Sequence, residues 1–330
     1  MQAMTEPRVI DDDKLQAFAA TVMGDIAGAL TVLLGYVGDQ TGVYRSMAEQ
    51  GPATATTLAD KAGVDARYLL EWLSAQAAAG YVQYDRATET FSLTPEQAVV
   101  LSAEGHPACM QGMIQLLTAQ FTTHEKAVHT FRSGEGRAWG EHHACCFCGT
   151  DRFFRAGYNV NLLENWLPAL EGVESRLRAG GRVADIGCGL GSSTLLMARA
   201  FPNSSFDGFD IHPPSIEEAG TRAAGHDGAT NANFEARSAV ETPANNYDLV
   251  CMFDCLHDMG DPVGAARRIR ECLAADGTLM LVEPLAGDAL SDNLNPLGQL
   301  FYAASTLICT PASKAQEVGL ALGPRPARRA

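Results

Sequence analysis

The segment RVADIGCGLGSSTLLMARA, residues 182–200, constrains the fold more than any other part of the chain. Val183, Ala184 and Ile186, preceded by Gly181, read as a short buried strand. Gly187, Gly189 and Gly191 then turn the chain into a helix starting near Ser192. Glycine is needed where a backbone takes positive φ or approaches a ligand closely, and the amides at the start of the following helix present a positive pole. Strand, glycine loop and helix in this order make one unit of a parallel sheet, with a ligand expected at the loop.

A second strand, residues 205–209, ends in Asp210, 23 residues after Gly187. A carboxylate at that point can accept hydrogen bonds from both ribose hydroxyls of a nucleoside. A Walker phosphate loop would need Gly-Lys-Ser/Thr, which is absent. A dinucleotide fingerprint would place its third glycine one position later, and Asp185 would lie badly beside a pyrophosphate. A cationic head group suits Asp185 better. The alternative is a Rossmann-like turn that holds no nucleotide. In its D-x-G-x-G-x-G form, from Asp185 to Gly191, the segment resembles the class I S-adenosylmethionine-dependent methyltransferases.

Residues 232–236, 247–253 and 277–282 read as three further strands, separated by stretches of helical length. This alternation predicts an α/β fold, a doubly wound Rossmann-like parallel sheet, with ligands at the strand C-termini. Gly187, Asp210, Ser238, Asp254 and Glu283 all fall there. The two strands that complete a class I sheet are not legible after Gly287, and the last residues, PRPARRA, have the composition of a disordered tail.

At 330 residues the chain is long enough for two domains. Residues 12–37 show two apolar helical patterns interrupted by Gly24, Gly28 and Gly35; they need a partner surface, either the rest of the chain or, preferably, a second copy. Residues 56–63 and a helix opening at Asp65, with Tyr68, Leu69, Trp72, Leu73 and Ala77 on its apolar face, precede two alternating stretches at 81–84 and 90–93. That is a helix-turn-helix with a wing. Between Pro52 and Val100, three basic residues stand against six acidic ones, so a DNA-recognition role is disfavoured, as it is for the whole chain at a net charge of −15. The segment is similar to the N-terminal winged-helix domain of small-molecule O-methyltransferases. There it serves dimerisation and helps to close the substrate pocket.

Residues 106–132 continue as an apolar helix rich in methionine, fit for core packing or for a pocket wall. Residues 133–150 read as a loop over the site. Its Glu141, His142, His143, Cys145, Cys146 and Cys148 have the density of zinc ligands, but paired C-x-x-C hooks are absent and no metal is expected. The division expected is therefore 1–105 for the N-terminal helices and winged helix, 106–178 for a helical connector and covering loop, and 179–330 for the methyltransferase domain. The N-terminus lacks the basic-then-apolar order of a signal peptide, and no apolar run approaches the roughly 20 residues that span a bilayer. A cytoplasmic protein without membrane or nucleic-acid partners is expected, with its nine cysteines reduced.

The stretch DCLHDMGD, residues 254–261, resembles the L-H-D-W-x-D segment of plant and actinobacterial O-methyltransferases, with Met259 in place of tryptophan. The resemblance implies that His257 removes the acceptor proton and that Glu283 orients the imidazole. The competing reading is that His257 caps the strand and bonds a backbone carbonyl. For S-adenosyl-L-methionine the resemblance implies a cradle of Asp185, Gly187, Gly189 and Gly191, with Asp210 on the ribose. Ile211 would pack on the adenine, Ser238 and Ala239 would lie beside it, and Asp254 would border the methionine end. Tyr158, Phe301 and Tyr302 would line the pocket of a small apolar or aromatic acceptor, methylated at oxygen by a homodimer. Two rival functions remain at this level: a winged-helix regulator, and a cofactor-binding protein without turnover.

Overall fold

The structure, a computed structural model, describes residues 10–225, 229–316 and 318–320. Two compact units emerge. One comprises the chain up to Glu104 with Ala108–Ile114, and the other comprises Gly105–Pro107 and everything from Gln115 onward.

The first unit opens with helix α1, Asp12–Gln40, capped by Asp11. The sequence pattern predicts two helices here, but the structure has one. A mid-helix glycine costs only about 1 kcal/mol, and side chains added at Gly24 or Gly28 would meet nothing within 4 Å. Gly38 has a different role. A Cβ there would lie 2.4 Å from the Trp72 ring, so its absence lets Trp72 close on α1 and donate from Nε1 to the Leu34 carbonyl at 2.8 Å. Helices α2 (Val43–Gln50), α3 (Ala55–Ala62) and α4 (Ala66–Ala78) follow, α3 and α4 being separated by a turn through Gly63 at φ +67°. Strands β1 (Gln83–Asp85) and β2 (Thr90–Ser92) pair as the expected antiparallel wing, and α5 (Pro95–Ser102) starts from a capping box at Thr94 and Gln97. Leu69, Trp72 and Leu73 are buried as read from the sequence, whereas Tyr68 is 82% exposed. The outer face of α1 carries exposed Phe18, Val22, Met23, Ile26 and Leu30. By length and composition α1 would be able to cross a membrane, which corrects the expectation that no segment reaches that length.

The division between units falls within α6 (Gln111–Thr122). The apolar stretch read as one helix breaks at Thr123, after which α7 runs His124–Ser133. The cysteine-rich run expected in a loop instead begins α8 (Ala144–Asn161), with His143 as its N-cap. A π-turn (Leu162–Trp166) and α9 (Val173–Ala179) lead into the sheet. Its elements are β3 (Arg182–Ile186), α10 (Ser192–Ala200), β4 (Ser205–Asp210), α11 (Pro213–Ala224), β5 (Ala232–Ala236), β6 (Tyr247–Phe253), α12 (Pro262–Cys272) and β7 (Leu273–Val282).

All five strands are parallel, in the order β5-β4-β3-β6-β7. The chain winds outward in both directions from β3, which puts a crevice at the C-terminal ends of β3, β4 and β6. Strands buried on both faces read as apolar runs, and Val183, Ala184, Leu249, Val250, Cys251 and Met252 are fully enclosed. β7 begins four residues before the expected Gly277 and forms an edge on which Leu279 and Leu281 are exposed. No sixth strand occurs among the described residues. Instead the chain continues into α13 (Pro296–Ala304), a π-turn (Ser305–Cys309) and α14 (Thr310–Lys314). The tail read as disordered lies outside the described residues.

Candidate active site

The glycine loop leaves β3 with Gly187, Gly189 and Gly191 at φ +73°, +52° and +79°, a region that other residues rarely enter. Two of the three also admit a neighbour: a Cβ at Gly187 would lie 2.8 Å from Cys255, and one at Gly191 2.9 Å from the Phe234 ring. A Cβ at Gly189 would meet nothing within 4 Å, so this glycine leaves open space beside the loop. Asp185 braces the loop from below. Its Oδ2 accepts from Ser193 Oγ and Thr194 Oγ1, both at 2.6 Å, while its buried Oδ1 has no partner among the described residues. Burial raises its pKa to about 6, against the two hydroxyls that favour the charged form.

Asp210 closes the loop from the neighbouring strand. Its Oδ2 accepts from the Gly189 amide and its Oδ1 from the His212 amide, each at 2.9 Å. Each oxygen keeps a further lone pair for a ribose hydroxyl. Next to it Ile211 exposes 41% of its surface, an apolar residue available to pack against a purine. Across β5, the Arg237 amide donates to the Asp210 carbonyl at 2.8 Å, which brings Ser238 alongside. Ala239 points into the core with Phe209 and Val250.

Asp254 leaves β6 at φ +55°, a strained conformation that aspartate tolerates better than most residues. Its amide is tied to the Val282 carbonyl at 2.8 Å and its buried Oδ1 has no hydrogen-bond partner among the described residues. Burial, with Asp258 and Glu283 adding to it and His257 opposing, lifts its pKa to about 7. Tyr158 packs on Phe253, ring centroids 5.3 Å apart, close enough to Asp185 and Asp254 that their charges add to burial in raising its own pKa.

Glu283 joins the end of β7 to the turn that carries His257. Its Oε1 accepts from the Leu256 amide at 2.8 Å and the Cys255 amide at 3.2 Å, and its Oε2 is hydrogen-bonded to His257 Nδ1. His257 therefore bonds a carboxylate rather than a backbone carbonyl. Its other nitrogen, Nε2, lies 3.2 Å from Asp258 Oδ1, an ion-pair contact of the protonated ring without hydrogen-bond geometry. Cys309, at the end of the second π-turn, brings its sulfur within 4.8 Å of the ring nitrogen and the Asp258 carboxylate. Burial alone would lower the His257 pKa, but Asp258, Cys309 and Glu283 together lift it far above the ordinary imidazole value.

Sequence reasoning missed Asp258 and Cys309. Asp258 stood within the quoted motif and was passed over, whereas nothing local marks Cys309, 52 positions after His257. Phe301 lines a separate cavity of about 380 Å³ with Leu285, Asn293 and Leu297, and the Tyr302 hydroxyl lies 3.4 Å from Asn293 Nδ2. The structure thus groups Tyr158 with the crevice acids, and Phe301 and Tyr302 with the segment after β7.

A crevice of this form, on a parallel sheet in this order, defines a Rossmann-like nucleoside-cofactor site. Residues 184–279 match the methyltransferase domain family, and residues 28–103 match the Rv2258c-like winged helix-turn-helix domain. Two segments of the chain thus match, in this order, a winged helix-turn-helix model and a methyltransferase model. It is 31% identical over 118 residues to the trans-aconitate 2-methyltransferase of Streptomyces avermitilis, an alignment covering 36% of this chain and 44% of that protein. It spans less than half the length of the curated relatives it matches. Among solved structures, the mitomycin 7-O-methyltransferase MmcR superposes with a TM-score of 0.64 at 22% identity, over 88% of this chain and 87% of that one. Human N-acetylserotonin methyltransferase in complex with S-adenosylmethionine superposes with a TM-score of 0.62 at 17% identity, over 94% and 88%.

The cofactor of such a domain, S-adenosylmethionine, fits the residues present. Asp185 and Asp254 each hold a buried carboxylate oxygen without a hydrogen-bond partner among the described residues, which suits a cationic ligand. Gly189 faces open space, and Asp210 and Ile211 offer acceptors and an apolar surface for a nucleoside.

Proposed function

We propose that the chain is an S-adenosylmethionine-dependent methyltransferase acting at oxygen on a small, largely apolar or aromatic acceptor. The observation that carries this reading is the Glu283–His257 hydrogen bond at the mouth of the glycine-loop crevice. When bound, S-adenosylmethionine supplies a methyl group activated on a sulfonium. Gly187, Gly189 and Gly191 admit the cofactor, Asp210 holds its ribose, Ile211 and Ser238 border its adenine, with Ala239 turned into the core behind them, and Asp185 and Asp254 face its cationic end. Tyr158 walls the crevice, whereas Phe301, expected beside it, lines a separate cavity after β7.

Glu283 fixes the ring of His257 through Nδ1, which leaves Nε2 as the atom that takes the acceptor proton. Asp258 Oδ1 lies 3.2 Å from Nε2 and favours the protonated ring, so His257 can act as the base only after Nε2 has given up its own proton, for which that carboxylate is the nearest acceptor. Replacing His257 by alanine should lower turnover on a phenolic acceptor by about 10²–10⁴ while leaving cofactor affinity intact. A variant that keeps the wild-type rate would assign the proton elsewhere.

The exposed apolar face of α1 supports a homodimer, and the division at 1–105, 106–178 and 179–330 is retained as part of this reading. The acidic winged helix, with a net charge of −3 between Pro52 and Val100, argues against nucleic acid as a partner. A cytoplasmic location suits reduced cysteines, none of which is bonded to another among the described residues.

A further inference from the structure

Arg137 is 3% exposed, and its Nε and Nη1 donors have no hydrogen-bond partner among the described residues. No carboxylate lies within ion-pairing distance among the described residues. Glu141, whose charge reaches the guanidinium, instead accepts from the Ala138 amide at 3.0 Å and pairs with Lys126 at 3.8 Å. Nη2 donates to the Leu307 carbonyl and lies 3.0 Å from His142 Nδ1, while the Arg137 amide is anchored to the Pro311 carbonyl at 2.9 Å. His142 does not compensate the charge. Burial first, then Arg137 and Lys126, push its pKa down to about 3, and it is neutral at ordinary pH. Natural proteins rarely bury a guanidinium unpaired, because removing a charge from water without a counter-charge is costly.

Its position relates it to the site. Arg137 donates to Leu307, and two residues further along the same π-turn Cys309 contacts His257 and Asp258. Cys146, fully buried in the first turns of α8, senses the charges of both Arg137 and Asp258. π-turns gather at functional sites because they break the regular helical ladder. The guanidinium and the proposed base therefore flank one irregular turn, with acids on the His257 side and an uncompensated cation on the other.

We infer that Arg137 is the anchor for an anionic group on the acceptor, a carboxylate, so that the natural substrate class is small hydroxylated acids rather than neutral phenols. This deepens the methyl-transfer reading and rests on it for the term acceptor. A carboxylate on Nε and Nη1 satisfies both idle donors and supplies the missing counter-charge. A neutral phenol leaves both unmet.

The test is thermal denaturation of the full chain with benzoate as the anionic probe and benzamide as the neutral one, at matched sodium chloride. Benzoate should raise the wild-type Tm saturably by several degrees and benzamide should not. Arg137→Met should remove the benzoate shift while melting no lower than the unliganded wild type, since it deletes an uncompensated charge. Arg137→Lys should retain part of the shift. Equal responses to the two probes, a benzoate shift that survives in Arg137→Met, or an Arg137→Met protein that melts well below wild type would each overturn the assignment. S-adenosylhomocysteine run in parallel separates the two readings: a cofactor shift without a benzoate shift refutes this inference alone, and the reverse refutes methyl transfer alone.

Discussion

Replacing Asp258 by asparagine removes one of the two carboxylates that grip His257 and leaves Glu283 in place. At 3.2 Å, the Nε2 to Oδ1 separation, two unit charges in an effective dielectric of about 20 attract by roughly 5 kcal/mol. The side chains of His257 and Asp258 retain 16% and 22% exposure, and Asp258's own carboxyl is raised by burial, so about half of that is a fair expectation. At 1.36 kcal/mol per pKa unit this is a fall of about 2 units in the imidazole pKa. The sign is fixed by the charges: the neighbouring carboxylate stabilises imidazolium, so losing it lets the proton leave at lower pH. The assay is an NMR titration of the His257 ring, assigned by subtracting the His257→Ala spectrum, and it needs no acceptor. Wild-type His257 should stay protonated beyond neutral pH and the Asp258→Asn ring should deprotonate about 2 units lower. A wild-type ring that titrates near 6.5, or an unchanged value in the variant, would refute the double clamp.

Two further outcomes follow from the same geometry. Asp210→Ala should weaken S-adenosylhomocysteine binding in calorimetry by about 1–3 kcal/mol, because a carboxylate that organises the Gly189 and His212 amides and faces the ribose is lost; unchanged affinity would remove Asp210 from the site. Phe18→Asp together with Ile26→Asp, on the exposed face of α1, should turn a dimer into a monomer in sedimentation equilibrium, and a wild-type protein that is already monomeric would dispose of the α1 interface.

The parts legible in the sequence are those in which one local requirement dominates. Three glycines at positive φ, an acid at the end of the next strand and apolar runs bounded by turns are local signals, and β3, β4, β5 and β6 appear where they direct. Less was legible where a weak local signal competes with packing. Gly24 and Gly28 suggest breaks in α1, yet a single glycine costs too little to end a helix that nothing else interrupts. The run from Ala144 reads as a loop from its cysteines, but His143 caps a helix there. The state of the base was not legible at all. His257 stands out as a candidate from its motif, whereas the charge gathered around its Nε2 depends on the placement of Asp258 and on Cys309, delivered by a π-turn that no sequence period announces. Arg137 is hidden for the same reason: an arginine in a polar stretch becomes informative only when its burial and its missing counter-ion are seen.

The most direct test of the central claim is a methyl count. Purified chain is incubated with S-adenosylmethionine labelled on its methyl and a panel of small neutral phenols and hydroxylated aromatic acids, and both labelled product and S-adenosylhomocysteine are quantified. The account predicts one S-adenosylhomocysteine released for each methyl ether or ester formed, with the rate collapsing in His257→Ala. Tight S-adenosylhomocysteine binding with no transfer to any acceptor across the panel would contradict it and leave a cofactor-binding protein without turnover.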